Sequence, residues 1–127
     1  MNVQCLDHIV LTTADLKKCL AFYEGLLGFR SVETNGRYSL LFGTQKINIH
    51  TRPAEFLPAA AYPLAGSLDL CFVAEGSVDE TYKRLLLEKA PLVSGILPRH
   101  GARGPMRSIY LRDPDGNLVE LGFYEQP

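Results

Sequence analysis

The same order of elements can be read twice along this chain, and that repeat limits the fold more than any other feature. The first pass opens with a β-prone run over 6–12. Asp15 then caps a helix on which Leu16, Leu20, Tyr23 and Leu27 recur at helical spacing, and Gly28 suits its end. Runs over 29–34 and 37–42 flank Asn35-Gly36, a pair suited to a tight hairpin, and a further strand follows over 45–51. The second pass starts with a strand over 68–74. Ser77-Val78-Asp79-Glu80 forms a capping box ahead of a helix carrying Val78, Tyr82, Leu85 and Leu86 on one face. Ala90-Pro91 ends that helix. A strand is expected over 92–97, then a basic loop over 98–105. Two strands then flank Asp113-Pro114-Asp115-Gly116-Asn117, where Pro presets φ and Gly accepts a positive one. The repeat spans about 60 residues. It predicts an α+β fold: two βαβββ modules, each helix covering one sheet face, with the opposite faces curved in a mixed sheet around a cavity. The chain, residues 1–127, is expected to be one domain, with module one over about 4–52, a Pro- and Ala-rich connector over 53–67, and module two over about 68–124.

Composition bounds the function classes. With 46% hydrophobic and 21% charged residues and a net charge of −1, the chain reads as soluble, with no general pull toward nucleic acid or membrane. No apolar run approaches the ~20 residues of a membrane span, and the N-terminus has no secretory pattern, so a cytoplasmic location is expected. The three cysteines, Cys5, Cys19 and Cys71, lack the spacing of a zinc site or disulfide framework and read as reduced thiols.

The anomaly in the second pass is Glu120, a carboxylate inside the apolar run Leu118-Val119-Glu120-Leu121. Buried without a partner it would cost several kcal/mol. Arg107 or Arg112 could pair with it; a cation is the other solution. Strand alternation sorts the faces. His8 and Val10 oppose Ile9 and Leu11; Asn48 and His50 oppose Ile47 and Ile49; Asp69 and Cys71 oppose Leu68, Leu70 and Phe72; Glu120 opposes Val119 and Leu121. The polar face thus collects His8, His50, Asp69 and Glu120, one from each of four strands. Two imidazoles and two carboxylates suit one divalent ion such as Zn, Ni, Mn or Fe(II). Taken singly, each has a plainer role: a hydrogen-bonded structural histidine, a strand-edge aspartate, a bridged glutamate.

His8-Ile9-Val10, Phe22-Tyr23-Glu24-Gly25-Leu26-Leu27-Gly28-Phe29 and the run from Arg112 to Leu121 resemble the vicinal-oxygen-chelate superfamily. This group holds glyoxalase I, fosfomycin resistance proteins, extradiol dioxygenases and bleomycin-binding proteins. The likeness covers nearly the whole chain. The runs 42–50 and 66–71 resemble more narrowly the small glyoxalase-domain proteins labelled virulence-related. The resemblance implies that His8 and Glu120 match the first and last metal-ligand positions, and that His50 lies at or near a third. Asp69 stands where many members carry histidine, as an oxygen ligand or as the general base. It implies a glyoxalase-like, metal-dependent lyase or isomerase on a small oxygenated, anionic substrate, with Glu120 and Asp69 as catalytic carboxylates, and a homodimer as the commonest assembly.

Ser108, Tyr110 and Arg107 are the substrate-side candidates, and the arginine-rich stretch 98–107 is either a solvated hairpin tip or a gate for an anionic substrate. Val10 and Asp69 depart from the fosfomycin-modifying pattern. An extradiol dioxygenase would need His100 over the metal. For glyoxalase I chemistry, Arg30 and Arg37 are candidates for holding glutathione. The rival to an enzyme is a metal-free protein that sequesters a ligand in the same cavity, as bleomycin-binding relatives do; a third reading is a structural dimer with a vestigial site.

Overall fold

The computed structural model describes residues 1–125. The chain divides into two compact units, Met1–Ser67 and a second that begins at Leu68. Each is a four-stranded mixed sheet with helical structure between its first two strands. In unit one the elements are β1 (His8–Thr12), α1 (Leu16–Leu20) with a π-helical continuation (Ala21–Leu26), β2 (Arg30–Thr34), β3 (Arg37–Phe42) and β4 (Gln45–His50), with sheet order β1-β4-β3-β2. In unit two they are β5 (Asp69–Val73), α2 (Val78–Leu87), β6 (Leu97–Gly101), β7 (Gly104–Arg112) and β8 (Leu118–Tyr124), with order β5-β8-β7-β6. In both, the first strand lies parallel to the last and the other pairs are antiparallel. This is the doubled βαβββ order expected from the repeat.

Local chemistry places most of the boundaries. Asp15 caps α1 by accepting from Lys18 N at 3.1 Å, and Ser77 caps α2 by accepting from Glu80 N at 3.2 Å. Asn35 (φ 53°) and Gly36 (φ 78°) both take the positive φ that a two-residue hairpin demands. The first helix departs from simple α spacing. Leu27 N bonds Phe22 O at 3.1 Å, so one extra residue is wound into the turn. Cys19, Phe22 and Tyr23 are buried, while Leu16, Leu20 and Leu27 are only partly so. An aromatic run explains the rotation: Tyr23 meets Phe22 edge-on at 4.9 Å, Tyr23 lies 5.8 Å from Phe29, and Phe29 stacks on Phe42 at 4.7 Å.

Two expectations are corrected. The strand over 92–97 is reduced to a single bridge, Leu92 to Leu111. The basic stretch after it is not a loop but the β6–β7 hairpin, closed by the 101–104 turn. Pro98 and Pro105 are what make it read as a loop. Pro98 lies on β6, an edge strand, where a missing N–H costs no ladder bond, and Pro105 lies near the start of β7, ahead of Met106, where pairing with β8 begins.

Candidate functional site

The register converts each sheet into a grid, which adds rows to the faces that alternation assigns. On the polar face of unit one, the first row is Arg30, Leu41, Lys46 and His8. The second is Val32, Ser39, Asn48 and Val10. The third holds Thr34 beside Arg37, and His50 beside Thr12. His8 and His50 therefore share a face but lie two rows, or ~13 Å, apart along the strands. Donors to one ion must sit within about 3–4 Å of each other, so these two imidazoles cannot share it. The four-ligand set is corrected on this point.

His8 has its Nδ1 against Asp7 Oδ1 at 2.7 Å, and 45% of its side chain is exposed. A carboxylate on one ring nitrogen fixes the tautomer and leaves Nε2 as a donor to a metal. His50 is 8% exposed, and its Nδ1 is buried with no hydrogen-bond partner. Its ring meets Phe56 edge-on at 5.2 Å. It lines a cavity of about 440 Å³ on this face, together with Arg37, Lys46, Asn48 and Phe56.

Unit two has the denser chemistry. Its rows run Asp69, Leu118, Arg112; then Cys71, Glu120, Tyr110; then Val73, Gly122, Ser108, Leu97; then Tyr124, Met106, Arg99. Glu120 sits in the middle row, directly between Cys71 and Tyr110 on the neighbouring strands. Arg99 Nε donates to Tyr110 Oη at 3.0 Å, with its guanidinium 5.4 Å from the ring. Burial pushes the Tyr110 phenol up, the Arg99 hydrogen bond opposes this, and the Glu120 carboxylate adds to it. The phenol therefore stays protonated near neutrality, beside the Glu120 carboxylate. Burial also raises the Cys71 thiol to about 11, with Glu120 as the second cause. Only about one Cys71 in a thousand is thiolate at pH 8. Alkylation by iodoacetamide at that pH, followed by mass spectrometry, is expected to label exposed Cys5 well before Cys71.

Asp69 and Glu120 lie one row apart on the same face, ~7 Å along the strands, a spacing from which two carboxylates can reach one cation. Asp69 and Glu120, with an imidazole oriented like His8, match the donor chemistry of a divalent ion. Among the described residues, no three His, Cys, Asp or Glu side chains gather at one point within the chain.

The other candidates fall on both sides of the sheet. Ser108 faces inward with Tyr110, is fully buried, and has an Oγ without a partner. Arg107 is on the opposite, helix-facing side, where it forms a fork with Asp79 on α2 at 3.2 and 3.4 Å. It is not a substrate-side residue of this face, and it does not neutralise Glu120; nor does Arg112, whose Nη1 bonds Gly116 O at 3.2 Å. His100 alternates to the side away from Arg99. Cys71 and Arg99 are the participants missed from the sequence. Cys71 shares the face of Asp69 by alternation, which was a usable signal. Arg99 shows itself only once its stretch is known to be a strand.

Against known proteins, residues 5–121 match the model of the Glyoxalase/Bleomycin resistance protein/Dioxygenase superfamily. The chain is 45% identical over 126 residues to the glyoxalase domain-containing protein RDO1 of Mycosarcoma maydis, covering 98% of this chain and 71% of that one. It is 42% identical over 125 residues to virulence protein STM3117 of Salmonella typhimurium, covering 98% and 87%. The crystal structure of the Salmonella protein superposes with a TM-score of 0.94 over 98% of this chain and 100% of that one. Lactoylglutathione lyase from Agrobacterium tumefaciens is 26% identical, with a TM-score of 0.75 over 97% and 96%. The doubled βαβββ order, the inward Glu120 and these matches place the chain in the glyoxalase/bleomycin resistance protein/dioxygenase superfamily, to which it belongs.

Proposed function

We propose that the chain is a divalent-metal-dependent enzyme of glyoxalase type, acting on a small oxygenated, anionic substrate, with His8, Asp69 and Glu120 as ligands of the ion. The observation that carries this is the setting of Glu120: a carboxylate at the centre of a polar sheet face, between Tyr110 and Cys71, with Arg107 engaged by Asp79 and Arg112 by Gly116 O. Superfamily members often use divalent metals and bind small molecules, and the likeness to a lactoylglutathione lyase favours a lyase or isomerase. Bound there, the ion would supply Lewis-acid stabilisation of charge developing on a substrate oxygen.

The chain's own residues do the rest. Glu120 is placed to accept a substrate proton and to return it, with the protonated Tyr110 phenol beside it on the neighbouring strand. Arg99 holds the phenol in position. Asp69, exposed and one row away, is a second oxygen donor or the alternative base. Asp7 holds the His8 ring. The proposal includes a cytoplasmic homodimer as the working form; His8 and Asp69 are both exposed in this chain and open to a second copy.

The test is an activity screen. Chelator-treated protein, reloaded in turn with Ni, Zn, Mn and Fe(II), would be assayed on hemithioacetals, epoxides and catechols. Turnover that appears with an ion and disappears with chelator is expected for one of these substrate classes. No turnover with any ion would favour the sequestering role.

A further inference from the structure

Unit one carries its own polar cavity, and no ligand of the proposed metal site lines it. Its charge is one-sided: Arg37 and Lys46 contribute cations, and no carboxylate lines it among the described residues. Its walls also carry neutral hydrogen-bonding groups. Asn48 and Ser39 are already joined, Ser39 Oγ donating to Asn48 Oδ1 at 2.8 Å, which turns the Asn48 amide N–H groups away from that bond. His50 also lines it, is more than nine-tenths buried, and has an Nδ1 without a partner. A buried ring nitrogen without a partner is costly and marks a place where a ligand atom belongs.

One wall is apolar and held in place. The Phe56 ring lies under the Arg37 guanidinium, 4.0 Å from the ring centroid. Its position is set by the turn before it, where Glu55 accepts from Thr51 N at 2.8 Å, Thr51 Oγ1 at 2.9 Å and Arg52 Nη1 at 3.3 Å. Val32 and Leu41 complete the apolar lining. The volume, about 440 Å³, is that of a small-molecule site.

We propose that this cavity binds a small anion, a carboxylate or a phosphate monoester, with an apolar or aromatic body. Arg37 and Lys46 hold its charge, His50 turns its ring to give Nδ1 a hydrogen bond to it, and Val32, Leu41 and Phe56 take its body. Arg37 provides a planar fork suited to either anion. This moves anion recognition from the 98–107 stretch to unit one. In that stretch Arg99 is held by Tyr110, Arg107 by Asp79, and Arg103 lies over the Tyr124 ring at 4.3 Å. The cavity's role as a substrate site rests on the metalloenzyme reading; the binding itself does not.

Calorimetric titration of the full chain, stripped of metal by chelator, with benzoate, phenyl phosphate and neutral benzamide tests it. At least one anion is expected to bind tenfold or more tightly than benzamide, and which one does so tells carboxylate from phosphate. Arg37→Gln and Lys46→Met, each checked for folding by circular dichroism, are expected to weaken that anion at least tenfold, and His50→Gln several-fold. Equal binding of benzamide, no binding at millimolar concentration, or unchanged affinity in both folded charge variants would overturn the proposal. Because metal is absent throughout, failure here is separate from failure of metal loading in the untreated protein.

Discussion

Asp113→Ala is expected to destabilise the protein by about 3–5 kcal/mol, out of the roughly 5–15 kcal/mol typical of a domain. Asp113 is 4% exposed and organises the β7–β8 turn. Its Oδ1 accepts from Asp115 N and Asn117 N, both at 2.9 Å, and its Oδ2 from Asn117 Nδ2 at 2.7 Å. Alanine strands all three donors, and the two on Asn117 are buried. Asn117, 1% exposed, cannot rescue them, because its Oδ1 is held by Leu68 N at 2.9 Å and a flipped amide would set donor against donor. The same logic makes Asp113→Asn intermediate, near 2 kcal/mol, since one new N–H would face Asn117 Nδ2. Urea denaturation of the three proteins checks the order. The consequence reaches the site: the Leu68–Asn117 bond ties the start of β5 to β8, and that register sets Asp69 one row from Glu120.

Glu120→Ala is expected to lower turnover on order of 10³-fold while leaving the fold intact. Glu120 is partly exposed and sits on the polar face, away from the Ile109, Leu111, Val119 and Leu121 core. Its loss removes a polar neighbour of Tyr110 and Cys71, groups that are not fully buried and can turn to water. The stability cost should therefore stay near 1 kcal/mol, far below that of Asp113→Ala. Glu120→Gln separates the roles. It keeps the shape and a polar oxygen beside Tyr110 but loses the charge and the basicity, so it should fail in catalysis almost as fully as alanine. If activity fell only in step with stability, Glu120 would be a structural residue.

Much of this was legible from residues alone, for identifiable reasons. Asn35-Gly36, Asp15, Ser77 and Asp113-Pro114-Asp115-Gly116-Asn117 act through local chemistry, and each does what its residue types predict. Alternation placed Glu120 and Asp69 on the polar face, and the structure agrees. Alternation names a face, however, and not a row. His8 and His50 satisfied it equally, and only the β1–β4 register, with His8 opposite Lys46 and His50 opposite Thr12, separates them. Arg107 and Asp79 are 28 residues apart, a pairing that no local pattern carries. The prolines at 98 and 105 hid a hairpin because their usual meaning fails here: Pro98 lies on the edge strand β6, and Pro105 precedes Met106, where the pairing of β7 with β8 begins. With that hairpin hidden, Arg99 could not be seen beside Tyr110.

The central claim is that Glu120 belongs to a divalent-metal site, and elemental analysis of purified wild type and Glu120→Ala tests it most directly. Near-stoichiometric Mn, Ni, Zn or Fe in the wild type, lost in the folded variant, is the predicted result. A wild type that stays empty after each ion is supplied, or a variant that loads as well as wild type, would contradict it.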